Sequence, residues 1–125
     1  MSIRVVLADD NAGFRQRVAA LLRLQGDIEV AGEAADGREA IAKARELRPD
    51  VMLLDFRMTG MDGFTAARAI LQESPGVKIF IFTAYPGALD RAKVNGSGLQ
   101  GLLIKDQPIT EIVAAIRKSL GGSVP

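Results

Sequence analysis

Five times along the chain, a short apolar run rich in β-branched residues gives way to a stretch with helical spacing. Ile3 to Ala8 is nearly continuous in apolar residues rather than alternating, which predicts a strand buried on both faces. Phe14, Val18, Leu21 and Leu22 then recur at i, i+4, i+7 and i+8, one stripe of an amphipathic helix, with Arg15, Arg17 and Arg23 mostly off it. Gly26-Asp27 closes the unit. Ile28 to Ala34 is a more mixed strand, expected at or near a sheet edge. Asp36-Gly37 opens a second helix whose buried face is Ala40, Ile41, Ala44 and Leu47, and Pro49 ends it. Asp50 to Leu54 is the third strand, and its run Val51-Met52-Leu53-Leu54 places it in the sheet centre.

A third helix is predicted from about Asp62 to Glu73, with Phe64, Ala67, Ile70 and Leu71 inward, before the breaker Ser74-Pro75-Gly76. Val77 to Phe82 reads as a second central strand. A thin apolar face over Ala88 to Val94, surrounded by Gly87, Gly96, Gly98 and Gly101, predicts a short fourth helix. Leu102 to Ile104 is a short fifth strand, and Ile109, Ile112, Val113, Ile116 and Leu120 mark a final helix. Residues 121–125, Gly-Gly-Ser-Val-Pro, read as the start of a linker after a domain spanning 1–120. Such a βα repeat implies a single α/β domain with a parallel sheet covered by helices on both faces, because crossovers are right-handed. Strand order is not carried by periodicity.

A chain of 125 residues can bury enough surface to fold without a disulfide or structural metal. The absence of Cys and His excludes disulfides, thiolate chemistry, histidine-ligated metals, Ser-His nucleophiles and a phosphohistidine carrier role. A net charge of +1 with no basic block argues against nucleic-acid binding by this segment. The apolar runs are far shorter than a membrane span, and Met1-Ser2-Ile3-Arg4-Val5 lacks signal-peptide organisation, so the default location is cytoplasmic.

In an open parallel sheet the carboxyl ends of the strands share one edge, where ligands bind. Strand one delivers Asp9 and Asp10 there, strand three Asp55, strand four Thr83 and strand five Lys105, while nothing obviously chemical ends strand two. Two like charges at about 4 Å repel by on the order of 4 kcal/mol at an effective dielectric near 20, so three carboxylates need positive charge. An all-oxygen site suits a hard cation such as Mg²⁺, with Lys105 as a second counter-charge. Asp55 is then placed as a carboxylate nucleophile toward phosphorus. Each residue alone has a plainer reading: Asp10 or Asn11 as helix N-cap, Asp55 as an ordinary strand end, Thr83 as a turn hydroxyl, Lys105 reaching into water. Their convergence on one edge favours function.

Asp9-Asp10, the run from Leu53 to Gly63 around Asp55, Thr83-Ala84 and Lys105 together resemble the receiver domain of bacterial two-component response regulators, over essentially the whole chain. The Arg38-Glu39-Ala40 helix start and the Gly-rich lead into strand five are most similar to receivers of the LuxR/NarL type, which precede a helix-turn-helix output domain. The resemblance implies a flavodoxin-like fold with strand order 2-1-3-4-5. It implies that Asp55 is the phosphoacceptor, and that Asp10, Asp55 and the backbone carbonyl of Arg57 ligate Mg²⁺ with Asp9 assisting. Thr83 would bond the phosphoryl group and Lys105 would pair with it. The implied donor is a phosphohistidine on a sensor histidine kinase. The implied result is a changed surface over the fourth helix, fifth strand and fifth helix, with control of a DNA-binding output. A phosphorylation-linked homodimer, through that surface or through the first and last helices, is a further implied partner. A signalling switch of this kind is not an enzyme beyond its own phosphorylation and dephosphorylation.

Three departures from the family pattern stand out, one of which, Asp106 and Gln107 intervening between Lys105 and Pro108, is common in the LuxR/NarL-type group. Thr59 replaces the usual Pro four residues after the acceptor, and Leu102 replaces the usual Tyr or Phe three residues before the Lys. A receiver fold used as a constitutive interaction module is the rival reading, and these two positions carry it. Arg57 and Tyr85 are both large at the places that flank the attacking-water path, so slow loss of phosphate is expected. A haloacid dehalogenase-type phosphatase would need Asp where Arg57 stands, and a flavodoxin would need a Ser/Thr-rich loop where Asp9-Asp10 would repel phosphate. No G-x-x-x-x-G-K nucleotide loop is present.

Overall fold

The computed structural model describes residues 2–84, 87, 91, 93–94 and 96–121. Five parallel strands, β1 (Ile3–Ala8), β2 (Ile28–Ala34), β3 (Val51–Asp55), β4 (Lys78–Thr83) and β5 (Gly101–Ile104), pair in the order β2-β1-β3-β4-β5. This is the flavodoxin-like order that the resemblance implies, with the mixed strand β2 at an edge. Helices α1 (Ala12–Arg23), α2 (Gly37–Leu47), α3 (Gly63–Glu73) and a last helix, Ile109–Ser119, cover the sheet.

The unbroken apolar runs are explained by burial on both faces. Val6, Ala8, Met52, Leu54, Ile79 and Ile81 pack with Ala40 and Ala44 of α2 and with Phe64, Ala67 and Ile70 of α3. Their neighbours Val5, Leu7, Val51, Leu53, Phe80 and Phe82 face the other way, toward Val18 and Leu22 of α1 and Ile112, Val113 and Ile116 of the last helix. Side-chain carbonyl or carboxylate oxygens of Asn11, Asp36 and Asp62 accept from the N–H groups of Phe14, Glu39 and Thr65, so three helices start on capped first turns. At the other end of α2, Arg48 takes a left-handed conformation with φ 47°. There the Arg4 guanidinium donates to the carbonyls of Leu47 and Arg48, joining β1 to the α2 terminus.

Boundaries move by one residue where a side chain is otherwise engaged. The Asp50 carboxylate accepts the Arg4 N–H at 2.8 Å, and β3 runs from Val51 through Asp55. Asp62 is the cap rather than the first turn of α3. Leu21 and Leu120, expected inward, are 38% and 39% exposed. Val18, Ala19 and Leu22 take the inward positions of α1 and leave Leu21 on its flank, while Leu120 falls beyond the last helical residue. Of the helix expected over 88–94, Arg91, Lys93 and Val94 are helical, and Ala88, Leu89, Asp90 and Ala92 lie outside the described residues, as do 122–125 of the expected linker.

One close approach fixes α3 against β3. A Cβ on Gly63 would lie 2.4 Å from the Asp55 carbonyl oxygen and 3.2 Å from Phe56 Cα, while the Gly63 N–H donates to the Phe56 carbonyl at 2.8 Å. Backbone meets backbone here, and no flexible side chain can give way. Gly63→Ala is expected to lose about 1–3 kcal/mol in urea unfolding; an unchanged midpoint would show that α3 is free to slide.

Candidate functional site

The carboxyl ends of the strands bring the predicted residues to one edge. Asp9 follows β1; its N–H donates to the Ala34 carbonyl at 3.0 Å. Its buried carboxylate is divided, Oδ1 accepting from the Asn11 N–H at 2.9 Å and Oδ2 from Lys105 Nζ at 2.6 Å. Asp55, also buried, ends β3, and Asp10 is exposed beside it. One carboxylate oxygen from each of Asp9, Asp10 and Asp55 lies within 4.8 Å of the others. Asn11, not Asp10, caps α1, which leaves Asp10 to the pocket.

Lys105 Nζ sits 3.4 Å from Asp55 Oδ1 and 4.7 Å from the centre of the Phe14 ring, so one ammonium bridges two carboxylates over an aromatic face. Thr83 is buried at the end of β4, and its carbonyl accepts the Lys105 N–H at 2.8 Å. The three aspartates, Asn11, Arg57, Thr83 and Lys105 line one open cleft of about 500 Å³. All six predicted residues therefore meet. The Arg57 guanidinium stacks 5.8 Å from the Phe56 ring centre, and Tyr85, expected opposite it, lies outside the described residues.

Four contributors went unnoticed in the sequence. Phe14 reads there only as a core position, yet it carries the Lys105 ammonium. Arg15 Nη1 donates to the Asp9 carbonyl at 2.7 Å, and its Nε donates to Glu33 Oε1 at 2.9 Å, so β2 does reach the site, one residue short of its end. Gln107 Oε1 accepts the Ile104 N–H at 2.7 Å and closes the turn after Lys105. An acid near the carboxyl end of the edge strand was the available signal for Glu33; the others depend on tertiary placement.

Burial raises the Asp55 carboxyl from 3.8 to about 6, helped by the negative charge of Asp9 and opposed by Lys105 and the Arg57 N–H. One lysine thus leaves the pocket short of positive charge. An all-oxygen donor set with one exposed member, Asp10, fits a hard, partly hydrated cation.

A flavodoxin-like sheet with such an acidic pocket at its carboxyl edge defines a signalling switch of the receiver type. Residues 5–117 match the family described as the response regulator receiver domain, and the chain belongs to that family. It is 36% identical over 122 residues to the response regulator protein VraR of Staphylococcus aureus, covering 98% of this chain and 58% of VraR. The chain thus spans little more than half the length of this curated relative. The receiver domain of NarL from Mycobacterium tuberculosis superposes with a TM-score of 0.90 at 36% identity, over 97% of this chain and 98% of that one. A LuxR-family two-component response regulator from Aurantimonas sp. SI85-9A1 gives 0.91 at 32% identity, over 98% and 87%. As a receiver domain of the two-component type this chain is a signalling switch, and its Asp9, Asp10 and Asp55 cluster is typical of the receiver Mg²⁺ site. Among the described residues, no helix is long and apolar enough to cross a membrane.

The raised Asp55 value has a direct consequence for the metal-free protein. Below 3.8 both folded and unfolded chains hold this proton; between 3.8 and about 6 the unfolded chain releases it while the folded chain keeps it. Stability from this group is therefore present at low pH and lost as pH rises through that window. Asp55→Asn is expected to remove this slope and to raise metal-free stability at neutral pH by on the order of 1–3 kcal/mol. Urea unfolding across the window reads both effects, and parallel profiles for variant and wild type would contradict them.

Proposed function

We propose that Asp55 is the phosphoacceptor of this receiver and takes its phosphoryl group from a phosphohistidine on a sensor histidine kinase. The observation that carries the proposal is the gathering of three carboxylates within 4.8 Å with Lys105 bridging Asp9 and Asp55. An Asp55 carboxylate oxygen attacks phosphorus, the P–O bond forms as the P–N bond to the imidazole breaks, and the departing imidazole nitrogen is protonated from solvent. Asp10, Asp55 and the Arg57 carbonyl would hold Mg²⁺ with Asp9 assisting, and the bound ion supplies positive charge against the phosphoryl oxygens. Lys105 turns from Asp9 toward the new anion, and Thr83 donates its hydroxyl to it.

The phosphoryl group adds roughly −1.5 to −2 charge beside Thr83 and Lys105. Between these two residues the sequence offers few apolar anchors, and among the described residues from 84 to 100 Val94 is the buried one. Thin anchoring means low local stability, which suits an element that must move. A full two-state reversal takes about 5.5 kcal/mol, within reach of a few charge-assisted hydrogen bonds at roughly 1.5–3 kcal/mol each. Leu102 packs, partly buried, against the core beneath α2 and α3, so displacement of this segment replaces rotation of an aromatic ring as the signal. The responding surface would be this segment with β5 and the last helix. Its partner would be a DNA-binding output domain joined through residues 121–125, a reading supported by the similarity to a DNA-binding response regulator of the LuxR family from Staphylococcus aureus, which superposes with a TM-score of 0.86.

Intact mass after incubation with Mg²⁺ and acetyl phosphate tests the proposal. Wild type is expected to gain one phosphoryl group, and Asp55→Asn or chelated samples none; folded wild type that gains nothing from this donor or from a cognate kinase would overturn it. Once phosphorylated, the double variant Arg57→Ala, Tyr85→Ala is expected to release phosphate faster than wild type; an equal or slower rate would remove these side chains from the water path.

A further inference from the structure

The pairing of β2 with β1 slips by one residue. Val5 pairs with Val30 but Val6 with Gly32, which leaves Ala31 without a partner. This is a bulge, and one extra residue turns every later side chain to the opposite face of the sheet. Without it Glu33 would stand opposite Ala8, on the α2 face. With it Glu33 stands opposite Leu7, on the face that α1 covers. Arg15 of α1 meets it there through Nε, and the same guanidinium reaches the Asp9 carbonyl through Nη1. The two side chains are 13% and 24% exposed, so the pair is largely shielded from water. Arg23 also approaches Glu33, at 3.7 Å.

A guanidinium directs its N–H groups in a rigid fork, so an Arg fixed at one prong by Glu33 has the other prong fixed as well. The Asp9 carbonyl and the Asp10 N–H share one peptide plane. Holding that carbonyl sets the direction in which Asp10 leaves the strand. We infer that Arg15 and Glu33 form a positioning pair, aimed by the bulge at Ala31, that holds the Asp9–Asp10 peptide and so presents both carboxylates to the pocket. Its effect on Mg²⁺ rests on the reading of that pocket as the cation site.

NMR on the whole 125-residue chain separates the two. The first readout, taken without metal, is solvent exchange of the Asn11 amide, which donates to Asp9 Oδ1; the second is Mg²⁺ affinity by amide-shift titration. Arg15→Met keeps the apolar stem and removes the fork. It is expected to speed Asn11 exchange and to weaken Mg²⁺ binding about ten-fold, the size typical for groups that orient metal ligands. Glu33→Gln should move both readouts the same way by a smaller factor, and Arg23→Met should leave both at wild-type values. A folded Arg15→Met with wild-type Asn11 exchange overturns the inference, as does one that binds Mg²⁺ as tightly as a binding-competent wild type. If Arg15→Met does not fold, Glu33→Gln decides by the same two readouts. A flat titration of wild type defeats the metal reading instead, and the exchange arm then decides the positioning pair alone.

Discussion

Three carboxylates held on one sheet edge repel one another, and much of the fold serves to keep them there. β1 and β3 are neighbours in the sheet, so Asp9 and Asp55 arrive side by side from strands whose faces are both sealed by helices. Lys105 comes from farther away. β5 is three steps from β1, about 14 Å at ordinary strand spacing, and the lysine still reaches Asp9 Oδ2 at 2.6 Å. Phe14 forms the apolar ground beneath it and is backed by Phe82, 5.6 Å away between ring centres. The site is thus an unfavourable concentration of charge made tolerable by one long side chain and by the surrounding packing.

That arrangement explains the asymmetry among the aspartates. Asp9 is anchored at its N–H, its carbonyl and both carboxylate oxygens, to β2, α1 and β5. Asp10 is exposed, and Asp55 is buried with its carboxyl pushed upward. One residue is held on every side, one is open to solvent, and one is buried with its proton retained to higher pH. The difference comes from position alone, since all three have the same side chain.

Much of this was legible in the sequence because it rests on short-range pattern. Apolar runs gave five strands, Asp36-Gly37 and Pro49 bracketed α2, and the strand-end residues Asp9, Asp10, Asp55, Thr83 and Lys105 named the pocket. What escaped depends on long-range geometry. The bulge at Ala31 has a single local sign, Gly32 inside the strand pattern, and that glycine alone does not say which face Glu33 occupies. Arg15 looks like one more surface arginine on α1 until its carbonyl partner is seen. Leu21 fits a helical stripe as well as Leu22 does, and only the angle at which α1 meets the sheet separates them. The strand order came from resemblance, because periodicity records burial and not neighbours.

The bond from the Lys105 N–H to the Thr83 carbonyl has one more consequence. It ties the exit of β4 to the exit of β5, while the chain between the strands leaves after Thr83 and re-enters the sheet at Gly101, on the opposite edge. Closing such an excursion depends only weakly on its length, with each doubling costing about 0.6 kcal/mol. The crossover from β4 to β5 is therefore tolerant of changes in length, and Thr83 and Lys105 stay together because the two strands that carry them are paired. A frame of charged residues fixed by strand pairing, beside a crossover free to vary in length, keeps the cluster insulated from changes elsewhere in the chain.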